Sequence, residues 1–255
     1  MPGELVPQWE SFAPGIDYVE GRTGKPRLAF WALRVDLSNP DLEFVVNGDT
    51  RSTTISGFVR DYDCIAGINA TPFAPVSAVV GEDRTIVGIA VADGFLAAPP
   101  NPRFDALVFY QDGSAAIVNQ GDLDAETLAN LRNALGGFFV VLRDGAIPDR
   151  ILAMDTRRAA RHPRSATGLS ADGKTLYLLA IDGRRLGSVG ATEEEIGVIL
   201  KRLGADDGLN FDGGGSTALV LRYPDGKIRP VNIPIHDLIP GKERAVAACL
   251  GIRTY

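Results

Sequence analysis

Cysteine and histidine are scarce in this chain. With only Cys64 and Cys249 among 255 residues there is no disulfide framework, and the two either pair across neighbouring strands or remain buried thiols. His162 and His236 are the only histidines, so the clustered His and Cys ligands of a zinc site are missing. A serine hydrolase of the G-x-S-x-G type is excluded because that elbow does not occur. No run approaches the roughly 20 apolar residues that span a bilayer. Met1-Pro2-Gly3-Glu4-Leu5-Val6 has neither a basic n-region nor an apolar h-region, so the expectation is a cytoplasmic protein or a chain trimmed of its leader. Basic residues are outnumbered 26 to 32, a formal charge of −6, which is opposite to the footprint of a nucleic-acid binder. Aromatics are only 7%, little for a carbohydrate-binding face built from exposed rings.

What remains is an ordinary globular composition, 45% hydrophobic and 23% charged. Strand character recurs over 28–35, 42–46, 86–91, 106–110, 115–118, 138–142, 175–181, 218–221 and 245–252. Asp-Gly pairs at 93–94, 112–113, 144–145, 172–173, 182–183 and 225–226 bound several of these, a hairpin signal that predicts a largely antiparallel sheet. Leucines at 123, 128, 131 and 135 predict a helix over 122–135. Thr192-Glu193-Glu194-Glu195 spells a capping box and predicts a second helix over 192–203, giving Glu195 a structural task. A short third helix is predicted over 54–61. Many strands with two or three helices indicate an α+β fold with an antiparallel or mixed sheet, one domain over residues 1–255.

The densest candidate for chemistry is Asn210-Phe211-Asp212-Gly213-Gly214-Gly215-Ser216-Thr217. Each glycine costs about 0.5–1 kcal/mol of conformational entropy relative to alanine, more than a simple turn requires three times over. The triplet therefore suggests close approach of a ligand, with its N–H groups as an anion-binding nest. No Lys follows it, so it is not a nucleotide-binding P-loop. Arg157, Arg158, Arg161 and Arg164 cluster upstream and suggest a local anion site or a solvated loop, with Arg164 at a strand entrance after Pro163. Asp182 ends a strand before Gly183 and Arg184, as a site carboxylate or the first residue of a turn. Asn69 orients a substrate hydroxyl or caps a turn. A hard cation on Asp212 or Asp182 is a further option; otherwise no metal or cofactor is expected.

These residues resemble a known family. Asn210–Ser216, preceded by Pro163-Arg164-Ser165-Ala166 and Ile181-Asp182-Gly183-Arg184, is similar to the phosphodiester glycosidase family. Further matches are Pro14–Tyr18, Gly67-Ile68-Asn69, Gly190-Ala191-Thr192, Asn232 and Glu243-Arg244, in family order along nearly the whole chain. Where the family has Asn-Gly-Gly-Phe-Phe this chain has Asn69-Ala70-Thr71-Pro72-Phe73, which implies a differently shaped pocket wall.

The resemblance implies cleavage of the sugar C1–O bond of a small or polymeric glycosyl phosphodiester. It implies Asp212 and Asp182 as base or nucleophile, and Arg164 with Arg184 on the phosphate. Asn69, Ser216, Thr192, Asn232, Arg244 and the N–H groups of Gly213, Gly214 and Gly215 would bind substrate. Which aspartate acts, and with what stereochemistry, depends on their separation. A phosphodiesterase breaking P–O and a non-catalytic glycan-binding module are the competing readings.

Overall fold

In the computed structural model, residues 7–154 and 160–254 are described; Arg157 and Arg158 lie outside them. A seven-stranded sheet runs in the order Glu10–Ala13, Ile16–Gly24, Arg27–Asp36, Thr175–Ile181, Arg164–Leu169, Asp207–Asn210, Phe139–Leu142. A five-stranded sheet has the order Ile228–Pro230, Leu219–Arg222, Ala66–Asn69, Cys249–Thr254, Leu42–Val46. Another has Ala115–Asn119, Asp105–Tyr110, Leu131–Gly136, Ala90–Ala92, Phe95–Ala98. Adjacent strands in all three are antiparallel.

The centre of the large sheet is buried on both faces, and its side chains alternate with the two-residue period of a strand. From Arg27–Asp36, Ala29, Trp31, Leu33 and Val35 enter the core shared with the five-stranded sheets, while Leu28, Phe30 and Ala32 face the other way. That second core is closed by helix. The helices are α1 Ile55–Asp61, α2 Ala125–Ala129, α3 Asp149–Leu152 and α4 Glu193–Leu203. Ile196, Ile199, Leu200 and Leu203 of α4 cover the outer face of the large sheet. α4 starts at the predicted capping box: Glu195 N–H donates to Thr192 Oγ1 at 3.3 Å and Thr192 N–H to Glu195 Oε2 at 3.0 Å. α1 is capped by Thr54, whose Oγ1 accepts Gly57 N–H at 3.0 Å. No helix among the described residues is long and apolar enough to cross a membrane.

The helix predicted over 122–135 is a correction. Only Ala125–Ala129 is helical, and Leu131–Gly136 is a strand paired with Asp105–Tyr110. Leu131 and Leu135, four apart, suit either period, and tertiary pairing decides. Asn133 shows why: it accepts Asp93 N–H at 2.9 Å and donates to Phe44 O at 2.9 Å, bonds a free-standing helix would not offer. The run 86–91 divides into Thr85–Ile86 and Ala90–Ala92, with Ile89 N–H given to Gln120 Oε1 at 2.8 Å. The run 245–252 becomes a strand only from Cys249.

Asp-Gly turns at 93–94, 112–113, 172–173 and 225–226 join paired strands. Asp182-Gly183 does not, because the chain there leaves Thr175–Ile181 for α4. The stretch Gly168–Thr175 spells a nucleotide P-loop pattern, yet it is a hairpin between antiparallel strands with no helix to receive a phosphate. Cys64 and Cys249 are unpaired and buried, and burial pushes the Cys64 thiol up to about 12.

Candidate active site

The glycine triplet lies where the chain passes from the seven-stranded sheet to a five-stranded one. Strand Asp207–Asn210 pairs with Arg164–Leu169, and Phe211 N–H extends the pairing to Ser165 O at 2.9 Å. Asp212 N–H then crosses to Ala70 O at 2.8 Å, just past strand Ala66–Asn69, and Leu219–Arg222 continues in that sheet. Asn69 staples the crossing: Nδ2 donates to Asp212 O at 2.6 Å, and Oδ1 accepts Ser165 Oγ–H at 2.6 Å and Ala218 N–H at 3.1 Å.

Each glycine has a close neighbour, backbone at Gly213 and arginine side-chain ends at Gly214 and Gly215. A Cβ on Gly213 would lie 2.7 Å from Pro163 O. Gly214 has φ +64°, and its Cβ would lie 3.0 Å from Arg184 Nη2. A Cβ on Gly215 would sit 2.7 Å from Cζ of Arg244. Two guanidiniums are thus laid against the triplet. Of the three N–H groups of the expected nest, Gly214 N–H is donated to Pro163 O at 2.8 Å and Gly213 N–H is drawn to the Asp212 carboxylate, which leaves that of Gly215.

Arg184 is exposed, adopts a left-handed φ of +58°, and has no ion-pair partner among the described residues. Arg244 is partly buried; its Nε donates to Nδ1 of His236 and its Nη1 to Ser216 Oγ, both at 3.2 Å. Asp212, partly exposed, completes the floor. Burial raises its pKa above the ordinary value, against the opposing pull of the Ser216 hydroxyl, the Arg244 charge and Gly213 N–H. The imidazole of His162 is pushed down by burial and by Arg164 and Arg184.

Several predicted residues also carry hydrogen bonds of the frame. Arg164 Nε donates to Ala191 O at 3.0 Å, and Nη2 to Ala160 O at 3.1 Å and Glu193 Oε1 at 2.8 Å, leaving Nη1. Arg161 forks onto Glu195 with two bonds of 2.7 Å. The two described arginines of the cluster thus pair with the acidic first turn of α4. Thr192 caps that helix.

Asp182 has no exposed surface; Oδ2 accepts Arg185 Nη1 at 2.6 Å, and Oδ1 accepts Ile233 N–H at 2.9 Å and Asn232 Nδ2 at 3.4 Å. Burial raises its pKa and these donors oppose the shift. Asn232 also accepts Leu219 N–H at 2.9 Å and donates to Thr217 O at 3.1 Å. Two participants went unassigned in the sequence: His236, and Glu243, whose carboxylate accepts Ser56 N–H at 3.0 Å at the start of α1. Both stand close in sequence to Arg244, the one signal available. Among the described residues the acidic group spaced to hold a metal is Asp144, Asp206 and Asp207, which includes neither Asp182 nor Asp212; Asp207 is already committed to Arg143 at 2.8 Å.

Residues 62–253 match the phosphodiester glycosidase family. The chain is 26% identical over 211 residues, 80% of its length, to the uncharacterized SPbeta prophage-derived protein YomE of Bacillus subtilis (strain 168), and covers 30% of that protein. It superposes on the catalytic domain of zebrafish N-acetylglucosamine-1-phosphodiester α-N-acetylglucosaminidase with TM-score 0.69 and 19% identity, covering 99% of this chain and 85% of that one. A hypothetical protein from Synechocystis superposes with TM-score 0.72 and 14% identity, over 98% of this chain and 64% of that one. At these identities the superpositions establish a shared fold.

Proposed function

The chain belongs to the phosphodiester glycosidase family, and we propose that it hydrolyses a glycosyl phosphodiester at the sugar C1–O bond, releasing free sugar and a phosphomonoester. The observation that carries this reading is the pair of guanidiniums on the triplet, Arg184 over Gly214 and Arg244 over Gly215, beside the single partly exposed carboxylate of Asp212. Planar forks of this kind suit a phosphate held by several oxygens.

The chemistry needs little more. A departing phosphomonoester has a second pKa of about 6, so it leaves far more readily than a sugar alcohol and requires charge stabilisation above proton donation. Arg184 and Arg244 supply that, with Ser216 holding the Arg244 fork. In the direct route a water oxygen bonds to C1 and the C1–O pair goes to the phosphate oxygen. The water proton goes to Asp212, whose raised pKa makes it a better base than an ordinary aspartate. Asp212 attack at C1 followed by water is the two-step variant on the same residues. Asp182, expected to share this work, takes a positioning role, since both its oxygens are committed to protein donors. The reading routes no step through a metal.

Hydrolysis of a glycosyl phosphodiester in ¹⁸O-water tests it. Label in the sugar is the expected result; label in the phosphate assigns P–O cleavage, and no turnover over a broad substrate panel favours a binding module.

A further inference from the structure

We propose that His236 is a positioning residue that holds Arg244 over the glycine triplet, and that it does so only as the neutral imidazole. The inference rests on the phosphate-holding role given above to Arg244.

His236 is 3% exposed, and its Nδ1 accepts Arg244 Nε at 3.2 Å. A guanidinium has donors only and keeps its proton in proteins, so Nδ1 must present a lone pair and the imidazole proton must sit on Nε2. Nε2 makes no hydrogen bond with a described residue and faces the Asp237 carboxylate at 3.4 Å. His236 is itself fixed: its N–H donates to Lys242 O at 3.0 Å, and Ile235–His236 pairs with Ile239–Pro240 in a hairpin against the turn Gly214–Ser216. With His236 on Nε and Ser216 on Nη1, the Arg244 plane is held at two of its three nitrogens, which leaves Nη2 beside Gly215 for a ligand oxygen.

Protonation at Nδ1 would oppose two N–H groups and set two cations 3.2 Å apart. The charged groups facing the imidazole are Arg244 and Lys242, which disfavour its proton, and Asp237, which favours it. Burial is the largest influence and also disfavours the charge, so the pKa lies below the ordinary histidine value and the neutral form prevails at neutral pH. Acidification through that pKa releases Arg244.

Sulfate is the probe, because its charge is constant from mildly acidic to neutral pH, and binding to the full chain is followed by calorimetry. Removing the acceptor with His236→Leu should weaken sulfate by about tenfold or more, the scale of a lost hydrogen bond to a charged group. His236→Asn keeps a non-titrating acceptor and should bind within about threefold of wild type at neutral pH. On acidification wild type should lose affinity relative to His236→Asn.

Equal binding by His236→Leu, or a wild-type affinity that tracks His236→Asn at every pH, overturns the inference while leaving the proposed reaction standing. A wild type that binds no sulfate overturns both. If His236→Leu fails to fold, the pH comparison with His236→Asn decides alone.

Discussion

The carboxylate of Asp182 accepts the backbone N–H of Ile233 at 2.9 Å, and with the longer bond from Asn232 it joins the two segments that deliver the arginines. Arg184 follows Asp182 by two residues, and the stretch after Ile233 leads through His236 to Arg244. The two guanidiniums thus share a buried anionic post.

Loss of that post should be structural. Asp182→Ala leaves Arg185 unpaired beside a buried gap, and breaking such a pair costs about 3–5 kcal/mol. A large fall in melting temperature, with weakened sulfate binding in whatever remains folded, is the expected outcome. A variant as stable as wild type would remove Asp182 from the frame.

Asp212→Asn should behave in the opposite way. Its pKa is raised in the folded chain, so its ionisation opposes folding: the associated stability is fully present below the unfolded pKa of about 3.9 and lost as pH rises through the folded value. At neutral pH the amide should therefore melt no lower than wild type while abolishing turnover. Unchanged turnover would dismiss Asp212 from the mechanism.

The same shift fixes a pH limb. Turnover requiring ionised Asp212 should rise with pH through a value above that of an ordinary aspartate, read from the acid side of kcat against pH. A flat profile through the acid range would contradict a base or nucleophile at this position.

Arg184→Ala should reduce kcat/KM by about 10- to 150-fold, the equivalent of a lost charge-assisted contact of about 1.5–3 kcal/mol. Because Arg184 is exposed, the melting temperature should move little. Gly215→Ala should reduce sulfate affinity and turnover by displacing Arg244, whereas Gly187→Ala, with open space at its Cβ, should change neither.

How much of this was legible beforehand varies with the range of the cause. The capping box at Thr192 is local, and α4 begins where the sequence places it. The leucines at 131 and 135 carry no such mark, and pairing with Asp105–Tyr110 settled their fate. The triplet drew notice because unneeded glycine is costly. Its reason is different from the expected one: it makes room for side chains from elsewhere. Asn69 and Asp182 bond to Asp212 and Ile233, which lie 143 and 51 positions away, and nothing in a linear reading specifies those bonds. The arginine run 161–164 misled for a similar reason, since its charge answers the glutamates of α4 some thirty residues on.

The passage of the chain between sheets at Asp212 has one more consequence. Arg184 leaves from the seven-stranded sheet, while Arg244 stands on the approach to Cys249–Thr254 of the other. In the proposed reaction a dianion gripped by both would act as a further rivet across a joint that Asn69 and Asp212 N–H already bridge. Occupancy should then stiffen the molecule as a whole, and release of the phosphorylated product should return the joint to its looser state, so that grip and turnover draw on one mechanical element.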